Sequence, residues 1–400
     1  MGSSPISRRA ADSLSLTGGL LEFIEETALA QEAYGPDACD FVFGNPQEMP
    51  LQGFVDALQR GVVPQDKSWF AYKMSEEEPR QVVAEGLLQR RGVTFDPEDI
   101  LLTNGAFGGL AVVLTTVLDP GDEVVFISPP WFLYEAMITA AGGVPVRVKA
   151  TPESFDLDLA AIQAAISPRT RAIIVNSPNN PTGKVYTRET LDRLGELLSE
   201  ASERSGRTIY LLSDEAYHRI LFDGRSYPSP TESYPHSFLI YTYGKTLLTP
   251  GQRLGFIALP PSMPDRERIR DGVTVSQVVS GWTFPNALLQ HALGDIEKLS
   301  IDISHLQRKR DRMVEALRAM GYQLHSPEGT FYLLPRAPIP DDQAFLRLLA
   351  KQGLFAMPGA MVECPGYFRL SLTASDDMID RALPGFQQAM ELATRERQSA

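Results

Sequence analysis

Three short runs between Glu123 and Ser213 are apolar on both of their faces, and that constrains the fold more than any other feature of this chain. Glu123-Val124-Val125-Phe126-Ile127 follows the turn Asp119-Pro120-Gly121-Asp122, and Arg171-Ala172-Ile173-Ile174-Val175-Asn176 and Thr208-Ile209-Tyr210-Leu211-Leu212-Ser213 repeat the pattern. A strand without a polar face has to be covered on both sides, which predicts buried parallel strands. Between the second and third runs, Leu191, Leu194, Leu197 and Leu198 share one helical face, with Asp192, Arg193, Glu196 and Glu200 on the others. Strand, helix, strand repeated in this way predicts a parallel α/β sheet flanked by helices, starting near Asp96 with the strand Ile100-Leu101-Leu102. Beyond about Ile296 the pattern changes to long helix, strand pair, helix, which predicts a smaller α+β domain. The first forty or so residues suit an arm and a short helix.

The 400 residues exceed what one core accommodates, so two domains are expected. A net charge of −13 argues against a nucleic-acid partner, which calls for a basic face. The mixed run Arg308-Lys309-Arg310-Asp311-Arg312 reads as a solvated helix face. Two cysteines, Cys39 and Cys364, make neither a disulfide framework nor a metal-ligand spacing, so no metal is expected. Gly2-Ser3-Ser4 resembles a myristoylation start, but Ile6 stands where serine or threonine is needed. With no signal peptide and no apolar stretch of membrane-spanning length, a cytoplasmic protein without a membrane partner is the expectation.

In an open α/β sheet, ligands bind beyond the carboxyl ends of the strands. Four stretches at such ends carry unusual chemistry. Ser177-Pro178-Asn179-Asn180-Pro181-Thr182-Gly183 places a side-chain amide, Asn180, that can donate to an anionic ring oxygen; an ordinary Asn-Pro turn is the bland alternative. Asp214-Glu215-Ala216-Tyr217 supplies a carboxylate able to keep a pyridine nitrogen protonated and a phenol able to bond a ring oxygen, although Asp214 also suits a helix N-cap. Thr103-Asn104-Gly105-Ala106-Phe107-Gly108-Gly109 opens a helix with small residues, so backbone N–H groups can approach a phosphate. Thr242-Tyr243-Gly244-Lys245-Thr246 places a lysine on a turn, with Arg253 eight residues on. A lone lysine is usually a solvated surface charge. Here it can form a Schiff base with an aldehyde cofactor while Arg253 and Thr242 hold that cofactor's phosphate, which suggests pyridoxal 5′-phosphate (PLP). Trp131, in Ser128-Pro129-Pro130-Trp131-Phe132-Leu133-Tyr134, can stack on its ring.

Together these motifs resemble the class I/II aminotransferases, the fold-type I PLP enzymes of the aspartate aminotransferase kind, from about Phe41 to Leu383. The resemblance implies a large domain built on a mostly parallel seven-stranded sheet, plus a smaller α+β domain. It divides the chain into 1–55 (arm and part of the small domain), 56–295 (large PLP-binding domain) and 296–400 (small domain). It implies Lys245 as the Schiff-base lysine, Asp214 as the ring-nitrogen partner, and Asn180 and Tyr217 as ring-oxygen donors. Trp131 is implied as the stacking aromatic, and Gly105, Ala106, Phe107, Thr242 and Arg253 as the phosphate cup. Arg369, in Tyr367-Phe368-Arg369-Leu370-Ser371, matches the arginine that binds the substrate α-carboxylate; a surface salt bridge is the alternative. Gly44, in Phe43-Gly44-Asn45-Pro46, matches a glycine close to that carboxylate, and Asn180 also borders the substrate. Tyr72 lies where a family tyrosine reaches the neighbouring subunit's cofactor phosphate, implying a homodimer with shared sites. The pattern departs at Glu77 and Val82, at Gly244 before the lysine, and at Ala360-Met361-Val362-Glu363-Cys364. These departures point away from a housekeeping aspartate enzyme.

The implied reaction is ping-pong transamination through a Lys245 aldimine, with the freed amine shuttling the α-proton between an amino acid and a 2-oxo acid. A β-lyase or specialised synthase on the same fold is the alternative, and a non-catalytic PLP-binding regulator is the more distant one. Such regulators carry a basic DNA-binding domain, and the forty residues before Phe41 hold no basic cluster. No second arginine can be assigned to a distal carboxylate, so a dicarboxylic amino acid is not favoured; Trp282, Phe284, Phe331 and Tyr332 are candidates to line an apolar pocket.

Overall fold

The computed structural model describes residues 5–399. Seven strands form one sheet: β1 (Ile100–Thr103), β2 (Glu123–Ser128), β3 (Val144–Lys149), β4 (Thr170–Asn176), β5 (Tyr210–Asp214), β6 (Ser237–Thr242) and β7 (Gly255–Ala258). Their order is β1-β7-β6-β5-β4-β2-β3, with β7 antiparallel to both neighbours and every other pair parallel. This is the expected α/β architecture with a mostly parallel sheet.

Apart from the edge strand β3, which is mostly exposed or half-buried, the sheet buries both faces because its strands are apolar at odd and even positions alike. Phe126, Ile174, Leu212, Ile240 and Ile257 pack on one side with Leu110, Val113 and Leu114 of the helix Gly105–Val117. Val125, Ile127, Ile173, Val175 and Leu211 pack on the other with Leu191, Leu194 and Leu198 of the helix Arg188–Ser205. That helix starts at the Thr187 cap, whose side chain accepts from the Thr190 N–H, and stops at Gly206 in a left-handed conformation. Each of those leucines contributes about 2 kcal/mol of burial. Strand β5 starts at Tyr210 rather than Thr208. The Ile209 N–H is taken by Ser202 Oγ at 3.0 Å and the Thr208 carbonyl by Arg171 at 2.7 Å, so neither joins the ladder.

Two expectations are corrected. The N-terminal helix is not short: it runs Arg8–Tyr34, 27 residues, and packs along Tyr134–Ala140 despite Gly18 and Gly19 at its centre. None of its residues is buried, so its apolar pattern gave no sign of its length. The charged run 308–312 is a solvated face only in part, with Arg308, Asp311 and Arg312 exposed. Lys309 and Arg310 are buried on the helix Ile303–Ala319. Lys309 Nζ donates to Glu48 at 2.6 Å and to the Ala374 carbonyl at 2.9 Å, and Arg310 pairs with Asp223 at 2.5 Å and the Pro327 carbonyl at 2.9 Å. Long stems can pack among apolar neighbours once their heads find acceptors, and sequence spacing does not reveal those acceptors.

Residues near Cys39 and Phe41 join the carboxyl-terminal third in one core with Met313, Leu317, Phe345, Phe368 and Phe386. Cys39–Asp40 pairs in parallel with Leu354–Phe355, while Phe368–Ser371 pairs with Met357–Pro358 on one side and Tyr332–Leu333 on the other. The expected boundaries include residues 1–4 and 400, and the Gly2-Ser3-Ser4 reading falls entirely there, outside the described residues.

Candidate active site

Parallel pairing sets Asn176 opposite Asp214 at the carboxyl ends of β4 and β5, with Thr242 ending β6 beside them. Asn176 ties these ends together. Its amide donates to the Asp214 carbonyl at 2.9 Å, and its Oδ1 accepts the Asn180 N–H at 2.7 Å. The loop from Ser177 to Gly183 is thereby fixed across the strand ends, and the Asn180-Pro181 peptide is cis. The result is a pocket of about 190 Å³ bounded by Ala106, Phe107, Trp131, Asn180, Asp214, Tyr217, Thr242, Lys245 and Arg253, nine of the residues singled out in the sequence. Leu110, Asn176 and Ala216 complete its wall.

Asp214 is buried, and burial raises its carboxyl to about 6, against the opposing pull of the Tyr134 hydroxyl, the Ala216 N–H and Lys245. Tyr134 donates to Asp214 Oδ2 at 2.5 Å. Sequence reasoning missed this tyrosine: it ends the Ser128–Tyr134 segment in which Trp131 alone drew notice, and its partner lies 80 residues away. Trp131 stands edge-on to Phe107 at 5.1 Å and to Tyr134 at 5.5 Å between ring centres. Lys245 follows Thr242 in the short helix Tyr243–Thr246, and its Nζ lies 5.7 Å from the centre of the Tyr217 ring.

Two guanidinium groups have no carboxylate partner among the described residues: Arg253 in the pocket wall and Arg369, which is linked to the pocket through Asn180. Arg253 spends its N–H groups on the Pro250 carbonyl at 2.9 Å and the Asn104 carbonyl at 3.4 Å, and burial alone lowers its pKa. It lies against Gly105, at the N-terminus of the helix Gly105–Val117, where free N–H groups and the helix dipole favour an anion. Gly105 has φ +76, and a Cβ there would stand 2.4 Å from Arg253 Nη2. Gly105→Ala is therefore expected to cost about 1–2 kcal/mol of strain and to displace Arg253. Phosphate or phosphorylated-ligand affinity, measured by titration, should fall at least about tenfold, which a 1.4 kcal/mol loss already implies.

Arg369 is the second guanidinium, 1% exposed. It donates to Asn180 Oδ1 at 3.0 Å and to the Val42 carbonyl at 2.9 Å, and its Nε has no partner. Burial lowers its pKa. The surface salt bridge weighed as an alternative does not occur. Gly44 is close by: a Cβ on it would meet Phe331 at 2.7 Å and the Tyr332 hydroxyl at 2.8 Å, so any side chain there would push these two rings aside. Tyr72 is not part of this cluster. It is 86% exposed and its ring rests on Phe284, 4.7 Å between centres. Trp282 and Phe284 are also partly exposed, whereas Phe331 and Tyr332 are buried beside Tyr217.

The family model for aminotransferase class I and II matches residues 40–386. An aspartate/prephenate aminotransferase of Thermus thermophilus is 30% identical over 92% of this chain and 94% of its own. The crystal structure of an amino transferase from Eubacterium rectale superposes with a TM-score of 0.90 at 28% identity, covering 97% of this chain and 99% of that one. An aspartate aminotransferase from Thermus thermophilus with maleate superposes with a TM-score of 0.81 at 29% identity, covering 97% and 100%.

Proposed function

That the chain belongs to the class I and II aminotransferases, and so transfers an amino group between an amino acid and a 2-oxo acid, is the premise from which we propose a role for each pocket residue. This family works with PLP, and the residues present fit that group. The observation that carries the reading is the pair of arginines without acidic partners, Arg253 and Arg369, set around Lys245 and Asp214. Holding two such guanidiniums without an acidic partner is costly, and an anion bound there would offset that cost. Arg253, Thr242 and the N–H groups of Gly105, Ala106 and Phe107 would hold the phosphate, and Arg369 with Gly44 the substrate α-carboxylate.

PLP, when bound, supplies an electron-accepting ring that stabilises negative charge on the substrate α-carbon. Asp214 would hold the ring nitrogen in its protonated form, steadied by the Tyr134 hydroxyl. Tyr217 and the Asn180 amide would donate to the ring oxygen; the Asn180 amide nitrogen is free for this because its Oδ1 already accepts from Arg369. Trp131 would cover the ring face and exclude water. Lys245 Nζ would take the α-proton and return it on the cofactor side, and the first product would leave before the second substrate enters. The relatives are named for aspartate and prephenate. In this chain no second arginine is assigned to a distal carboxylate, which favours an amino acid with an apolar or ring-bearing side chain over aspartate.

We also propose a homodimer. Tyr72, Phe70, Phe284 and Val279 form exposed apolar surface that a second copy would cover, with Tyr72 reaching that copy's phosphate. The core shared by Phe41 and the carboxyl-terminal third supports grouping those two parts, although it also takes in Ala216, Tyr217, Ile220 and Phe222 and the helix Gln52–Gly61 runs across the 55/56 boundary. Among the described residues no helix is long and apolar enough to cross a membrane, and Cys39 and Cys364 are buried free thiols, which suits the cytoplasm.

The test is the half-reaction. Holoenzyme mixed with a panel including phenylalanine, tyrosine, leucine and aspartate, without any oxo acid, should release 2-oxo acid stoichiometrically and then stop. Adding a 2-oxo acid should restore the original absorbance. Continuous ammonia release without an acceptor would instead identify an eliminating enzyme.

A further inference from the structure

Tyr332 lies where the carboxylate-binding and proton-transferring parts of the pocket meet. It occupies the short strand Tyr332–Leu333 and is 3% exposed. Its ring centre is 4.2 Å from the Arg369 guanidinium carbon. Its hydroxyl is hydrogen-bonded to that of Tyr217 and stands 2.8 Å from where a Gly44 Cβ would sit. Lys245 Nζ lies 5.7 Å from the centre of the Tyr217 ring and 5.9 Å from that of Phe331, which packs on Tyr332 at 4.9 Å.

An arginine that must receive a carboxylate presents a physical problem. It has to be held still in a buried place, yet a carboxylate placed there to hold it would occupy the position the substrate needs. Arg369 avoids this with neutral partners. Asn180 Oδ1 and the Val42 carbonyl fix two nitrogens, and the third, Nε, stays open. The Tyr332 ring supports the guanidinium plane through its negative face and leaves the charge uncompensated. An apolar side chain of the same size would fill the space without that attraction.

We propose that Tyr332 is a positioning residue for amino-acid binding: its ring holds Arg369 ready for a carboxylate without neutralising it, and its hydroxyl anchors Tyr217 beside Lys245. The inference rests on Arg369 as the carboxylate-binding residue. It also changes the place of Tyr332, grouped by sequence with three aromatics as an apolar lining.

The hydroxyl feels the same charges. Burial alone would raise its pKa, but Arg369, Lys245 and the bond with Tyr217 together outweigh burial and hold Tyr332 below an ordinary tyrosine. Tyr217 is pushed well above its usual value, by burial first and then by Tyr332. The charged or titratable groups facing the pair are thus Arg369, Lys245 and, behind Tyr217, Asp214.

Propionate, which carries a carboxylate but no amino group to react, is the probe. Its binding to holoenzyme is measured by calorimetry at neutral pH, alongside KM and kcat for the amino acid that the half-reaction selects. Y332L should weaken propionate binding about tenfold or more, the scale of a desolvated cation–π contact, and should raise KM more than it lowers kcat. Y332F should bind propionate within about threefold of wild type at neutral pH, because the ring remains. Wild-type affinity in Y332L, or a loss in Y332F as large as that in Y332L, overturns the proposal. Should Y332L fail to retain cofactor or unfold early, Y332M, another side chain without a π face, is read in its place. Arg369→Leu separates the two layers: lost binding there with normal binding in Y332L sinks the inference only, whereas normal binding in Arg369→Leu sinks the carboxylate assignment and the inference with it.

Discussion

Lys245→Ala is expected to lower amino transfer by about 10⁴-fold or more and to remove the visible absorbance that marks a lysine-linked cofactor. The same substitution should leave the fold almost untouched, and this makes the result interpretable. Lys245 Nζ makes no hydrogen bond and no ion pair among the described residues; its contacts are the faces of Tyr217 and Phe331 at 5.7 and 5.9 Å. At those distances cation–π attraction is worth about 0.5–1 kcal/mol each, partly recovered by solvent in the replaced site. Thermal unfolding of the cofactor-free variant should therefore stay within a few degrees of wild type. An activity loss with unchanged unfolding assigns the effect to the amine. A small added amine such as methylamine should restore part of the rate, because the cavity left by the side chain opens toward Asp214 and Tyr217. Retained turnover in Lys245→Ala would remove the lysine from the mechanism.

What the sequence made legible here follows from how local each constraint is. The strands were readable because a parallel sheet demands apolar residues on both faces over four to six positions, and little else looks like Val124-Val125-Phe126-Ile127. Asn180, Asp214 and Lys245 were readable because each ends such a strand or comes within four residues after one, where the chain has to leave the sheet and where ligands collect. Tyr134 was not readable: its meaning lies in a hydrogen bond to Asp214, and nothing in Trp-Phe-Leu-Tyr sets the last residue apart. Lys309 and Arg310 misled for the same reason in reverse. Their charges are local, but Glu48 and Asp223, which permit their burial, are far away in sequence. Tyr332 combined both difficulties, since an aromatic in a short strand reads as core until Arg369 is seen resting on it.

Asp214→Asn should separate stability from function at one residue. The folded carboxyl, raised by burial to about 6, lies above its ordinary 3.8. As pH climbs from about 3.8 to 6 the unfolded chain gives up this proton while the folded chain keeps it, so stability falls through that window. Above it the full penalty is present, about 3 kcal/mol for a displacement of this size. Asparagine cannot ionise and escapes the penalty. It can still accept from Tyr134, but turns an N–H₂ toward the Ala216 N–H, whose 3.3 Å bond to Oδ1 is lost at a cost of about 1 kcal/mol. The cofactor-free variant is thus expected to be more stable than wild type by about 1–3 kcal/mol at neutral pH, and the gain should vanish below about pH 4. Denaturant unfolding at several pH values measures this directly. With cofactor the order reverses: a protonated ring nitrogen compensates the wild-type carboxylate and not the amide. Asp214→Asn should then release PLP more readily and lose about 10²–10³-fold in turnover, the scale of one misplaced electrostatic group in a dry site. A cofactor-free variant less stable than wild type at neutral pH would mean that Asp214 is already compensated in the empty pocket. The buried carboxylate would then not be the feature that draws a cation to this site.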